Sequence, residues 1–233
     1  MILHHKCEVT VLDSVDSTNN YIKTLDLGDT PRAVIALEQT AGRGTHGRSF
    51  WSPRGSGVYL TIGFRPESVP GALSGEAPVD GKAGCEAVSG ASAGDLPEAG
   101  KAGCDQLSME QIQTVTRMAG VAVRRVLARY SLDEPRIKPV NDILICGRKV
   151  AGILTEGLTA GVGKFDSIYV GIGVNCFEAA LPEELRDVAG WIARPSREFT
   201  VLELAQDIID EFLKMLSGLD VDAVLREYEE YII

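Results

Sequence analysis

Glu38-Gln39-Thr40-Ala41-Gly42-Arg43-Gly44-Thr45-His46-Gly47-Arg48 is the stretch on which the fold turns, read with the Ser49-Phe50-Trp51-Ser52-Pro53-Arg54-Gly55-Ser56-Gly57 that follows it. Gly42, Gly44 and Gly47 satisfy G-x-G-x-x-G, the spacing of a dinucleotide-binding turn. That turn works only when a helix starts straight after the glycines, so that the helix N-terminus meets the pyrophosphate. Here a proline and several small turn-formers stand where the helix would be. The Rossmann reading therefore fails on context. What remains is a glycine-loosened loop carrying Arg43, Arg48 and Arg54. Glycine lets backbone approach a ligand closely, and arginine supplies a forked donor for phosphate or carboxylate. Taken alone, the loop admits two readings, a solvated basic turn and an anion-binding loop. His46 reads as a loop surface residue and not as a base.

Outward from the loop, strand and helix patterns alternate. Cys7 to Leu12 reads as a strand, and Ser17 to Leu25 as a helix entered through the capping residues Asp16-Ser17-Thr18. Ala33 to Leu37 reads as a buried strand. Gly57 to Phe64 has Val58, Leu60, Ile62 and Phe64 on one face, the period of a half-buried strand. Met109 to Tyr130 is the longest helix. Ile143-Leu144-Ile145, a tight Cys146-Gly147-Arg148 turn and Val150 to Thr155 read as a β-hairpin. Ser167 to Val174 is a further strand, and helical stretches follow over Pro182–Val188, Thr200–Leu216 and Val221–Tyr231. The class is α/β or α+β, with mixed strand pairing because a hairpin interrupts the alternation.

The chain has 233 residues, enough for a substantial core, and a formal charge of −10. A protein that holds duplex DNA through its net charge should be basic, so DNA binding is not expected. No run of 18 apolar residues exists to span a membrane. The five cysteines are scattered without CxxC spacing, so neither a disulfide frame nor a zinc site is favoured, and a reducing cytoplasm is the expected location. Eight of the 25 glycines fall between Gly71 and Asp105, where Gly81-Lys82-Ala83-Gly84-Cys85-Glu86 is nearly copied by Gly100-Lys101-Ala102-Gly103-Cys104-Asp105. That stretch has no aromatic residue, and it reads as a disordered insertion between a strand and the long helix.

Three more clusters carry polar chemistry. Ile137-Lys138-Pro139-Val140-Asn141-Asp142 places a lysine, an amide and a carboxylate before the hairpin that holds Lys149 and Gly152. Read alone it is also an ordinary Asn-Asp turn. Val170-Gly171-Ile172-Gly173-Val174-Asn175 is a strand with two glycines, which weaken it unless a ligand or backbone comes close. Asp16-Ser17-Thr18-Asn19-Asn20 sets polar side chains at a helix start, for capping or for a small polar head group.

Taken together and in this order, the clusters resemble the biotin protein ligase family. The matching residues are Asp16-Ser17-Thr18-Asn19, Gln39 to Gly44 with Gly47-Arg48, Lys138 with Asn141-Asp142, Gly147 to Glu156, and Gly171 to Asn175. The resemblance implies an α+β catalytic domain over 1–233, a mixed β-sheet packed against helices in the manner of class II aminoacyl-tRNA synthetases. It implies a ligase that joins biotin to ATP as biotinyl-5′-AMP and passes biotin to one lysine of a biotin carboxyl carrier domain. By resemblance Arg43 and Lys138 are the catalytic cations. Ser17, Thr18, Asn19, Gln39, Arg43, Gly44, Thr45, Lys138, Gly152, Gly171 and Gly173 would bind biotin. Arg43, Arg48, Trp51, Asn141, Asp142, Lys149 and Asn175 would bind ATP, with Mg²⁺ near Asp142. Gly42, Gly44, Gly47, Gly152, Gly171 and Gly173 are where a ligand is expected to touch backbone. A homodimer is a further implication.

The chain departs from the family pattern in three places. Pro139 stands where the lysine motif usually has tryptophan, which makes the apolar wall smaller. Thr45 replaces a frequent arginine, which loosens retention of the adenylate. The small C-terminal β-barrel is expected to be absent, since the chain stops about where it would begin. The rival readings are a lipoate or octanoate protein ligase and a non-catalytic biotin-binding module.

Overall fold

The computed structural model of the chain describes residues 7–66, 102–159, 165–179, 181–218 and 220–233, with backbone alone for His46 and for 102–109. Its strands are β1 (Glu8–Leu12), β2 (Arg32–Ala36), β3 (Gly57–Phe64), β4 (Arg136–Lys138), β5 (Asp142–Ile145), β6 (Arg148–Thr159) and β7 (Phe165–Asn175). The helices are α1 (Thr18–Ile22), α2 (Ala102–Tyr130), α3 (Val201–Ser217) and α4 (Val221–Glu230). The strands form one sheet in the order β1-β2-β3-β7-β6-β5-β4. β1 and β2 run parallel, as a crossover through α1 permits, and every other neighbouring pair is antiparallel. The architecture is α+β with a mixed sheet.

Strand alternation divides the molecule into two sides. Val58, Leu60, Ile62 and Phe64 of β3, with Ile168, Val170, Ile172 and Val174 of β7, face a large core closed by α2, α3 and α4. Val34 and Tyr169 face the other way and pack with Ile22 and Leu27 around α1. β3 is consequently buried on both faces and not half-buried, because α1 and its following turn cover the second side. At Gly63 a Cβ would come within 2.9 Å of Leu27 and 3.1 Å of Ile22, so this strand position has room only for hydrogen.

Most expected elements form, with differences at their ends. α1 stops at Ile22, and Thr24 and Leu25 complete a turn by donating to Tyr21 and Ile22 carbonyls. α2 begins at Ala102, so 102–105 of the expected insertion are helical. The rest of that insertion, 71–101 with the first repeat, lies outside the described residues. α3 carries a complete capping box between Thr200 and Glu203. The expected hairpin closes through Cys146 and Gly147 at φ 51° and 76°, the left-handed pair that a two-residue type I′ turn requires.

The expected helix over 182–188 is reduced to a single 3₁₀ turn, Glu183–Leu185. Its backbone has another use. Lys149 N–H donates to Val188 O at 2.8 Å and Gly190 N–H to Lys149 O at 2.9 Å, which lays 188–190 alongside the start of β6. β4 was too short to show a period in the sequence. It is held between β5 and the chain end, where Ile137 donates to Tyr231 O at 2.8 Å. Among the described residues no helix is long and apolar enough to cross a membrane, and Cys7, Cys146 and Cys176 are free thiols.

Candidate active site

The side of the sheet away from the three long helices carries a cavity of about 430 Å³. Its floor follows from strand register. Thr61 of β3 pairs with Gly171 of β7, which pairs with Leu154 of β6; one step along, Tyr59, Gly173 and Gly152 form the next row. The glycines make room for protein side chains. A Cβ at Gly171 would lie 2.2 Å from Asn19 Oδ1, and one at Gly173 would lie 2.6 Å from the Phe50 ring. At Gly152 it would stand 3.0 Å from Lys149 Nζ. At each of these glycines a neighbouring side chain crosses the space a Cβ would take, and all three also line the cavity.

The first turn of α1 enters this cavity. Ser17 caps the helix by position, yet its hydroxyl makes no capping bond, and it lines the cavity with Thr18 and Asn19. Gln39 Oε1 accepts from Thr18 N at 2.8 Å, and Gln39 Nε2 donates to Ser52 Oγ at 3.0 Å. Asn19 Nδ2 donates to Glu156 Oε2 at 2.9 Å, which turns its carbonyl oxygen toward Thr61. Thr61 Oγ1 lies 2.6 Å from Asn19 Oδ1 and 2.8 Å from Thr18 Oγ1. An amide oxygen only accepts, so the single Thr61 proton goes to Asn19. Thr18 is then the donor toward Thr61 or toward Gln39 Oε1, 3.1 Å away, and its own oxygen is left as an acceptor.

Glu156 joins α1 to the glycine loop. It takes Lys23 Nζ at 2.9 Å and Arg43 Nη2 at 3.0 Å, and Arg43 Nη1 reaches Asn20 Oδ1 at 3.1 Å. Burial alone would push the Glu156 carboxyl up; the hydrogen bonds from Asn19 and Lys23 and the charges of Lys23 and Arg43 outweigh it and hold it below the ordinary glutamate range. The loop itself is a small hairpin, with Phe50 N–H on Gly42 O at 2.9 Å and a 3₁₀ turn, Thr45–Gly47, in place of a helix. Gly44 and Thr45 line the cavity beside Arg43.

Lys149 lies across Gly152 with its Nζ 2.6 Å from Asp142 Oδ1. It lines the first cavity and also a second one of about 470 Å³, as does Phe50. The second cavity is walled by Trp51, Leu185, Val188 and Ala189, with Asn175 at its edge. Asn175 Nδ2 donates to Gly190 O at 2.9 Å and so ties that wall to the end of β7.

Most of the expected site residues thus meet around these two spaces. Ser17, Thr18, Asn19, Gln39, Arg43, Gly44, Thr45, Asn141, Gly152, Gly171 and Gly173 line the first, Trp51 and Asn175 the second, and Lys149 both. Asn141 holds β6 by accepting from Ile153 N and donating to Ile153 O. Lys138 is exposed and lines neither cavity. Its partner in β5 is Asp142, whose partner in β6 is Gly152, so it stands two strands, about 10 Å, to the side. Arg48 is exposed as well, folded back onto Thr45 Oγ1 at 3.2 Å. The side chain of His46 lies outside the described residues. Phe50, Thr61 and Glu156 were not anticipated. The period of two along β3 and β6 would have found Thr61 and Glu156, since they share faces with Tyr59 and Gly152; Phe50 had no signal beyond its place beside Trp51.

No family model matches the chain. Over 188 residues it is 31% identical to the bifunctional ligase/repressor BirA of Escherichia coli (strain K12), across 79% of this chain and 45% of that protein. Against BirA of Bacillus subtilis (strain 168) the identity is 28% over 190 residues, 80% of this chain and 46% of that one. Among solved structures, the biotin protein ligase of Aquifex aeolicus in complex with biotin and ATP matches with a TM-score of 0.67 at 21% identity, covering 97% of this chain and 78% of that one. The biotin protein ligase of Leishmania major in complex with biotinyl-5-AMP matches at 0.68 and 22%, covering 97% and 81%. The fold is that of a biotin protein ligase catalytic domain. The chain spans just under half the length of the curated relatives it matches. In sequence and in fold it is similar to the biotin protein ligases.

Proposed function

We propose that the chain condenses biotin with ATP to biotinyl-5′-AMP and pyrophosphate, and then passes the biotinyl group to a lysine of a biotin carboxyl carrier domain. The observation that carries this reading is Lys149, one cation shared by two adjoining cavities of different character. The first cavity has a floor of hydroxyls and amides around α1, suited to a small polar ring. Thr18 offers an acceptor there, which a ureido N–H would satisfy and a dithiolane ring would not. The second cavity, with the Trp51 indole and the Leu185, Val188 and Ala189 side chains, suits the face of an adenine, and the Asn175 side chain stands at its edge.

A carboxylate from the first cavity and the α-phosphate of a nucleotide in the second would then meet at Lys149 Nζ. The carboxylate oxygen forms its bond to the α-phosphorus while the bond to the pyrophosphate oxygen breaks. A fixed cation at that point lowers the barrier by stabilising the charge that builds on the phosphoryl oxygens. Asp142 holds Lys149 in place beforehand. The role expected for Lys138 is accordingly assigned to Lys149. Among the described residues no group of three His, Cys, Asp or Glu side chains could hold a metal. Mg²⁺ would be carried by the phosphates of ATP, where it neutralises their charge, with Asp142 the neighbouring carboxylate.

Biotin-dependent exchange of labelled pyrophosphate into ATP tests the first half, and labelling of an isolated carrier domain the second. Exchange with lipoate and none with biotin would overturn the substrate. Tight biotin binding without exchange would make the chain a binding module.

A further inference from the structure

We infer that Glu156 is a positioning residue of the first cavity, holding Arg43 of the glycine loop and Asn19 of α1 in the orientations that the ligand meets. The inference rests on the reading of that cavity as the biotin site and adds to it a residue that touches no ligand. Glu156 lines neither cavity. Its carboxylate nevertheless gathers Asn19 Nδ2, Lys23 Nζ and both terminal nitrogens of Arg43 within 3.3 Å. Those donors belong to α1, its C-cap and the loop, which the carboxylate thereby joins to β6.

Two consequences follow from the chemistry of an ionised carboxylate, which can only accept. It forces the amide of Asn19 to donate outward, so the carbonyl points across Gly171 to Thr61, and this in turn makes Thr18 a donor within the floor. The hydrogen-bond polarity beneath the ligand is thus set from a residue outside the cavity. It also grips the planar guanidinium of Arg43 at two points, which fixes that side chain's plane as well as its distance. A glycine on either side of Arg43 leaves the loop backbone little means of doing so itself. A glutamine at 156 would present an N–H₂ group to a cluster of donors, and an aspartate would keep the charge while withdrawing it by one methylene.

The test compares Glu156→Gln and Glu156→Asp with the unaltered chain, alone and combined with Arg43→Ala. Calorimetry with biotin should show affinity weakened about tenfold in Glu156→Gln, the effect of a lost charge-assisted hydrogen bond, with ATP affinity unchanged and Glu156→Asp intermediate. In steady state the KM for biotin should rise more than kcat falls. In the Arg43→Ala background the Glu156→Gln effect should shrink several-fold, because much of it passes through Arg43. Unchanged biotin affinity in both variants, or full additivity with Arg43→Ala, would overturn the inference. A ligand-free arm keeps it separate from the functional proposal. Tryptic cleavage after Arg43 and Arg48, followed by mass spectrometry, should quicken several-fold in Glu156→Gln. If the unaltered chain binds no biotin the functional reading fails, and equal cleavage rates would then refute the role of Glu156 on their own.

Discussion

Gly171→Ala should damage the site and the fold together, through one side chain. The backbone at 171 is ordinary strand, so alanine carries no conformational penalty there, and its methyl is the whole perturbation. That methyl would stand 2.2 Å from Asn19 Oδ1, 2.9 Å from its Cγ and 3.0 Å from its Nδ2. The entire buried amide has to swing aside. It then loses the 2.6 Å bond from Thr61 and the 2.9 Å bond to Glu156. A neutral hydrogen bond contributes about 1 kcal/mol and one to a charged group about 1.5–3 kcal/mol. With about 1 kcal/mol for overpacking, the cost is about 3–5 kcal/mol. For a chain of this size that lowers Tm by roughly 10 °C. Thermal unfolding measures the loss, and biotin titration should show weaker binding. The double variant with Asn19→Ala decides the cause, since removing the amide removes the obstacle. There Gly171→Ala should cost less than about 1 kcal/mol, a large departure from additivity. A single variant within about 2 °C of the unaltered Tm, or additive effects in the double variant, would refute the reasoning.

Lys149→Ala should reduce biotin-dependent ATP–pyrophosphate exchange by at least about a hundredfold, whereas Lys138→Ala should stay within about twofold; the reverse order would return the catalytic cation to β4. Trp51→Ala should raise the KM for ATP about tenfold, as loss of a base-stacking surface does, and leave biotin affinity in place by calorimetry. Stability should decline as pH falls below the ordinary glutamate range, because Glu156 is held lower in the folded chain than when unfolded. Its contribution is complete above the unfolded pKa and disappears as pH drops through the folded one, so Glu156→Gln should flatten that acid limb in urea titrations.

Hydrophobic period and turn chemistry made most of the framework legible before any coordinate. The alternation in Gly57–Phe64, the helical spacing to Tyr130 and the Cys146-Gly147 turn all reappear as elements. The 182–188 segment misled because its residues are fair helix formers, while the open backbone of Lys149 at the start of β6 offered it strand-like bonds. In the site, the loop and the α1 start were visible as residue types. The different places of Lys138 and Lys149 were not. Both are lysines near Asp142, and only the cross-strand register shows that one stands at the sheet margin while the other crosses a glycine into the cavity. The glycines of β6 and β7 signal close approach, and the side chains that come close in the structure are Asn19, Phe50 and Lys149. Contacts of that kind join positions far apart in the chain, and no local pattern carries them.

Lys149 serves the two cavities in different ways. Its side chain reaches the first, and its peptide groups hold the 188–190 wall of the second through Val188 and Gly190. A shift of this residue by an occupant of one chamber would therefore be felt by the wall of the other with no relay between them. Linkage then demands symmetry: whatever factor the first occupant applies to the affinity of the second, the second returns to the first. A strand end of this kind would tie the filling of the two chambers to one residue's backbone and side chain moving together.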